Sequence, residues 1–203
     1  MSSTSATAPA AAPATDPRPA MRRALDQLDR LVAAVGADDL TRPTPCTDLD
    51  VRALLEHLLG VARRIAHVAR GGAALDVPSS LDGPADGGWV AAWAGARADA
   101  EEAWADDAVL TRVLELPFGT MPGAAAGFAY VQEFTVHAGD LATALGRAGE
   151  LDEELAAQVL AGAVRFLPAE PRGGRVPFGP VVAVADSAPA SERLAGWTGR
   201  TPA

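Results

Sequence analysis

Apolar residues recur at helical spacing along most of this 203-residue chain. From Pro17 to Val35, the positions Met21, Leu25, Leu28, Leu31, Val32 and Val35 fit one helical stripe, and Gly36 supplies a stop. Two prolines in Thr41-Arg42-Pro43-Thr44-Pro45-Cys46 then exclude helix. Asp50 is placed to cap a second helix that runs to about Arg70 and ends at Gly71-Gly72. Residues 71–86 read as a long loop rich in Gly, Pro, Ser and Asp. A third helix is expected over 87–107, with Val90, Trp93, Ala94, Arg97 and Trp104 along it. Between 109 and 122 the β-formers of Leu110–Leu116 precede Pro117-Phe118-Gly119, which suits a short hairpin or an irregular crossover. A fourth helix covers 123–145 and a fifth Asp152–Leu167. The tail is broken by Pro and Gly, with a short extended segment at Val181–Val184 and a last helical turn or two at Ser191–Trp197.

Four substantial helices with a shorter fifth predict an all-α fold: a four-helix bundle with crossover connections and minor β content. Residues 1–16, composed largely of Ser, Thr, Ala and Pro, have no apolar face to bury and are expected to be a disordered leader. Residues 17–203 are expected to form a single helical domain with an irregular C-terminal tail. The net charge of −9 argues against a nucleic-acid partner. No apolar run is long enough to span a bilayer, and the N-terminus lacks the basic and apolar regions of a signal peptide, so a cytoplasmic location is expected. Cys46 is the single cysteine, which excludes an intrachain disulfide and a cysteine-based zinc cluster. The chain has no Lys, no Asn and one Ile, a bias expected of a GC-rich genome.

Three residues carry the candidate chemistry. On the second helix, Val51, Leu54, Leu55, Leu58, Val61, Ala62, Ile65 and Val68 form one apolar arc, and His57 stands at its edge. His67 falls in the opposite, polar arc with Arg52, Glu56, Arg63 and Arg70. At 1.5 Å per residue it lies about 15 Å from His57 along the axis, too far to share an ion. On the fourth helix Glu133, His137 and Asp140 form a stripe at i, i+4 and i+7. Glu133 and His137 can grip one ion, and His57 would add a third ligand, leaving a coordination position open as in catalytic zinc sites. Asp140 is a candidate for orienting a ligand from behind. Spacing alone favours a packed His57 and a solvated Glu133–His137 pair over a metal site. Cys46 reads as a small buried residue and the four Trp as packing residues. No His-Glu-x-x-His, Gly-x-Ser-x-Gly or phosphate-loop motif is present.

Thr44-Pro45-Cys46 followed by Asp50–Leu58, together with Glu133–Ala142 and the closing Phe178-Gly179-Pro180 to Leu194-Ala195-Gly196-Trp197, resembles the DinB-like metal-binding proteins. Within them it is similar to the group related to the N-terminal domain of mycothiol-dependent maleylpyruvate isomerase. The likeness spans about residues 18–200. It implies a DinB-like bundle and a divalent metal, commonly zinc, bound by His57, Glu133 and His137. It also implies thiol-dependent transferase or isomerase chemistry with mycothiol as cosubstrate, and a small-molecule thiol or electrophile as partner. The isomerase itself has a distinct C-terminal domain contributing to its active site. Only about fifty residues follow the bundle motifs here, so its activity is not carried over. Relatives often carry Trp where this chain has Gly139, which implies a reshaped pocket wall. The other reading is a non-catalytic protein in which the ion, with Asp140 as a fourth ligand, staples the bundle while the surface serves a partner.

Overall fold

Helix α2 shows how local sequence sets the framework. The Asp50 carboxylate accepts the N–H of Ala53 at 2.8 Å and opens α2 (Val51–Ala69). All eight residues of the predicted apolar arc are buried. They face α1 (Arg18–Ala33), α3 (Trp89–Ala103) and α5 (Gly123–Ala144) across the central core. α1 packs on α3 and α5, and α2 packs on the same two, which closes the four helices into a ring. The structure, a computed structural model, describes residues 16–85, 87–173, 176 and 178–202. Residues 1–15 of the expected leader lie outside these. Asp16 is described, and its carboxylate accepts the Arg18 N–H at the start of α1.

The α1–α3 seam is polar as well as apolar. Trp93 donates its indole N–H to Asp29 at 2.7 Å, and Arg97 reaches both Asp26 and Asp29. Trp104, just after α3, donates to the backbone carbonyl of Ile65 in α2. The third helix therefore buries Trp89, Trp93, Ala100 and Trp104. Val90, one residue on from Trp89, is 56% exposed. The Ala-rich helix offers little contrast between faces, and the large indoles decide which side turns inward.

Between α3 and α5 the chain forms α4 (Ala108–Thr111) and a two-stranded antiparallel hairpin, β1 (Val113–Leu116) and β2 (Gly119–Pro122). The hairpin, not an irregular crossover, is the outcome, with Gly119 at φ +137° in its turn. α6 (Glu153–Phe166) and α7 (Ala190–Trp197) pack together against α5. Asp152 caps α6 and also pairs with Arg23 of α1. Val181–Val184 joins no sheet. Val182 donates its N–H to the Gly196 carbonyl, and a Cβ at Gly196 would come within 2.6 Å of the Val182 oxygen. No helix among the described residues is long and apolar enough to cross a membrane.

Candidate metal centre

α2 and α5 lie side by side, and their contact brings the three sequence-predicted residues together. His57 Nε2 is 3.1 Å from Glu133 Oε1, and His137 Nε2 is 3.4 Å from the same oxygen. The two imidazoles meet edge to face with centroids 4.8 Å apart. One ligand atom from each of the three residues fits within 4.8 Å of the others. His137 is buried, while Glu133 keeps about a third of its side chain exposed.

Each imidazole is oriented from behind. His57 Nδ1 lies 2.8 Å from the Ser79 carbonyl, which can only accept, so Nδ1 carries the proton. His137 Nδ1 lies 2.9 Å from Asp140 Oδ2. In the tautomer that keeps its proton on Nδ1, each ring turns the unshared pair of Nε2 toward one carboxylate. Three electron-rich atoms pointed at a common space repel one another unless a cation sits among them. This donor set and orientation fit a divalent ion, with two imidazole nitrogens and one carboxylate oxygen.

Without a metal, a proton on His137 takes the cation's place. Burial opposes charge on His137, but its bonds to Asp140 and Glu133 outweigh that and push its pKa up to about 9. Burial likewise opposes charge on Glu133, yet the bonds from His137 and His57 hold it well below the usual carboxylate range. Asp140 is also held low against burial, by His137 and by Arg200. Arg200 Nε and an Nη of the same guanidinium reach the two Asp140 oxygens at 3.2 and 3.1 Å, and both side chains are buried. Asp140 therefore serves as the anchor of His137, on the side away from Glu133.

The Ser79 contact depends on a glycine. Residues 77–81 cross α2 as a strap, tied by Arg64 to the Val77 carbonyl and by the Leu81 N–H to the Glu56 carbonyl. A Cβ at Gly60 would lie 2.6 Å from the Ser79 oxygen and 2.8 Å from the Ser80 nitrogen. Only glycine lets the strap approach closely enough to hold His57. Sequence reasoning left Gly60, Ser79 and Arg200 out of the site. A glycine inside a strong helical pattern is the signal that could have pointed to the first of these. The other two act through a loop carbonyl and a residue of the tail, which periodicity does not mark.

The other candidates take separate places. His67 pairs with Asp76 at 3.3 Å, away from the centre. Cys46 is held by a turn in which Thr44 donates to the Leu49 carbonyl at 2.6 Å and accepts the Cys46 N–H at 3.2 Å. Its sulfur comes near His137 and Asp140. Burial first, then the Asp140 charge, pushes the Cys46 thiol pKa up, so it stays a neutral neighbour. Gly139 has open space where a Cβ would stand. It lines a cavity of about 90 Å³ with Asp140, Thr143, Ser191 and Arg200, between α5, α6, α7 and the chain end. The wall that Gly139 opens is thus behind His137, on the Asp140 side.

Comparison with known proteins identifies the fold and the family. The model of the mycothiol maleylpyruvate isomerase N-terminal domain matches residues 21–142, a span that holds His57, Glu133, His137 and Asp140. Two Mycobacterium tuberculosis proteins are each 33% identical over 186 residues, covering 92% of this chain and 98% of theirs. They are uncharacterized protein MT0763 of strain CDC 1551 / Oshkosh and uncharacterized protein Rv0738 of strain H37Rv. The crystal structure of the mycothiol-dependent maleylpyruvate isomerase superposes with a TM-score of 0.53 at 15% identity, over 72% of this chain and 68% of that one, and shares the fold. By the extent of the domain match and the near full-length relatives, the chain belongs to the mycothiol maleylpyruvate isomerase N-terminal domain family.

Proposed function

We propose that this protein is a divalent-metal-dependent enzyme that uses a low-molecular-weight thiol of the mycothiol type, acting as an isomerase or a thiol transferase on a small electrophile. The observation that carries the reading is the pair of imidazoles whose Nδ1 atoms are engaged and whose Nε2 atoms both face Glu133. His57 Nε2, Glu133 and His137 Nε2 would hold the ion, and the nitrogen and oxygen donors suit zinc. Bound there, the ion would supply the charge that keeps a thiol sulfur deprotonated at neutral pH.

The chain's own residues prepare that task. Ser79 and Asp140 fix both rings, so the donors need no reorganisation on binding. Two neutral imidazoles and one carboxylate leave net positive charge at the centre, which favours an anionic sulfur. Asp140 is committed to His137 and Arg200, which takes away the fourth ligand that a purely structural staple would use. That placement supports an enzyme over the non-catalytic reading. The family match supports the thiol, and a cytoplasmic setting, where such thiols are kept reduced, goes with it.

The test is thiol consumption. Zinc-loaded protein, mycothiol and a panel of electrophiles that includes maleylpyruvate should give turnover with at least one member. The same mixture with His137→Ala should not. A panel on which the unaltered, zinc-loaded protein does no better than the His137→Ala protein contradicts the enzymatic reading.

A further inference from the structure

Burying a polar atom without a partner costs about 1–3 kcal/mol, so such an atom at a site points to something that completes it. Tyr130 is 7% exposed, and its hydroxyl has no hydrogen-bond partner among the described residues. Trp89, Arg172 and Trp197 also bury unpartnered donors. Tyr130 differs from them in its place. It stands on α5 one turn before Glu133 and two before His137, so the three share a stripe at i, i+3 and i+7. The charged groups that act on its phenol are Arg64 of α2 and Glu133. Arg64 and His57 are themselves two turns apart on α2. Its place on this stripe, with Arg64 of α2 acting on it, puts the phenol on the side of α5 that faces α2.

Two carbonyls of the strap already serve other donors. Val77 accepts from Arg64, and Ser79 accepts from His57. Burial raises the pKa of the phenol, which keeps its proton on oxygen. A protonated hydroxyl next to a centre that gathers an anionic ligand is a donor in waiting.

We propose that the Tyr130 hydroxyl donates a hydrogen bond to the thiolate held at the His57–Glu133–His137 centre, making Tyr130 a ligand-positioning residue. This rests on the metal and thiol reading above. No bond is made or broken at Tyr130, and its proton stays on the phenol oxygen.

The experiment uses the full chain with cobalt(II) as the probe metal and N-acetylcysteine as the probe thiol. Tyr130→Phe removes the hydroxyl and little else. In metal-free protein the substitution should leave the melting temperature unchanged or raise it, because the lost group had no partner. Cobalt affinity should be unchanged. Affinity of the cobalt-loaded protein for N-acetylcysteine, read from its thiolate-to-metal absorption, should fall about tenfold, as expected for a hydrogen bond to a charged group. If Tyr130→Phe lowers the metal-free melting temperature and leaves thiol affinity intact, the hydroxyl is structural and the proposal is overturned. If the unaltered protein binds the thiol and Tyr130→Phe binds it equally well, only the role of Tyr130 falls. If the unaltered protein takes up no cobalt, or takes it up and ignores thiol, the thiol reading falls and this inference with it.

Discussion

Replacing Gly60 by Ala sets two physical effects against each other. Ala in a helix interior is favoured over Gly by about 1 kcal/mol, so a helix-propensity view expects stabilisation. The new methyl, however, would sit 2.6, 2.7 and 2.8 Å from three backbone atoms of Ser79 and Ser80. Backbone cannot swing aside as a side chain can, and forcing a methyl into a packed contact costs about 1–3 kcal/mol. The net expectation is a loss of about 0–2 kcal/mol in the metal-free protein. The functional effect is larger, because the atom nearest the methyl is the Ser79 carbonyl oxygen that holds His57 at 2.8 Å. Moving the strap by several tenths of an ångström loosens that bond and frees the ring. Loss of such a partner behind a ligand lowers metal affinity about 10–100-fold. Gly95→Ala is the matched control, since it lies in α3 with nothing within 4 Å of a new Cβ and should stabilise by about 1 kcal/mol. Urea denaturation of metal-free protein and zinc titration against a competing chelator read both quantities. If Gly60→Ala stabilises as much as Gly95→Ala and binds zinc with unchanged affinity, the strap does not position His57.

Other expectations follow from the same geometry. His57→Ala and His137→Ala should each abolish stoichiometric metal, whereas His67→Ala should leave it unchanged. Elemental analysis of the purified variants decides this, and metal loss specific to a folded His67→Ala protein would refute the assignment. Asp140→Asn should cost about 3 kcal/mol in metal-free stability, because the buried Arg200 loses its counter-charge, and should also weaken zinc binding. A destabilisation below about 1 kcal/mol in denaturant melts would show that the pair is not structural. The pH dependence has a definite sign. His137 is raised from 6.5 to about 9, so its stabilising contribution in metal-free protein is complete below 6.5 and lost as pH rises through 9. Glu133 and Asp140 are held low, so theirs is present above the ordinary carboxylate range and lost on acidification. Zinc must displace the His137 proton, so apparent affinity should rise about tenfold per pH unit and level off near 9. Melting in chelator and zinc titrations across pH 6–10 check both, and flat profiles would contradict the proton's role.

The helices were legible where one face is strongly apolar. The arc of α2 from Val51 to Val68 and the stripe of α1 emerged from spacing alone because Leu, Val and Ile alternate there with Arg, Glu and Asp. The buried face of the Ala-rich α3 was not legible, since alanines on both faces erase the contrast. The Val181–Val184 segment has β-formers but pairs with no strand among the described residues. At the candidate centre, Glu133, His137 and Asp140 could be read because i, i+4 and i+7 spacing reports a shared helix face. Their supports could not. Ser79 acts through its backbone oxygen, which its side chain does not announce. Arg200 lies sixty residues beyond Asp140 and reaches it only once α7 has packed on α5. Asp140 itself was marked as an orienter, and its contacts with His137 and Arg200 give that role its physical content.

The account rests on a cation at the meeting point of His57, Glu133 and His137 with a position left for a thiol. The most direct measurement is the visible spectrum of the cobalt(II)-substituted protein during titration with mycothiol. One equivalent of cobalt per chain and a saturable thiolate-to-cobalt charge-transfer band are expected. A fully cobalt-loaded protein whose spectrum does not change with thiol, anions or pH would contradict it, and the ion would then be a staple of the bundle.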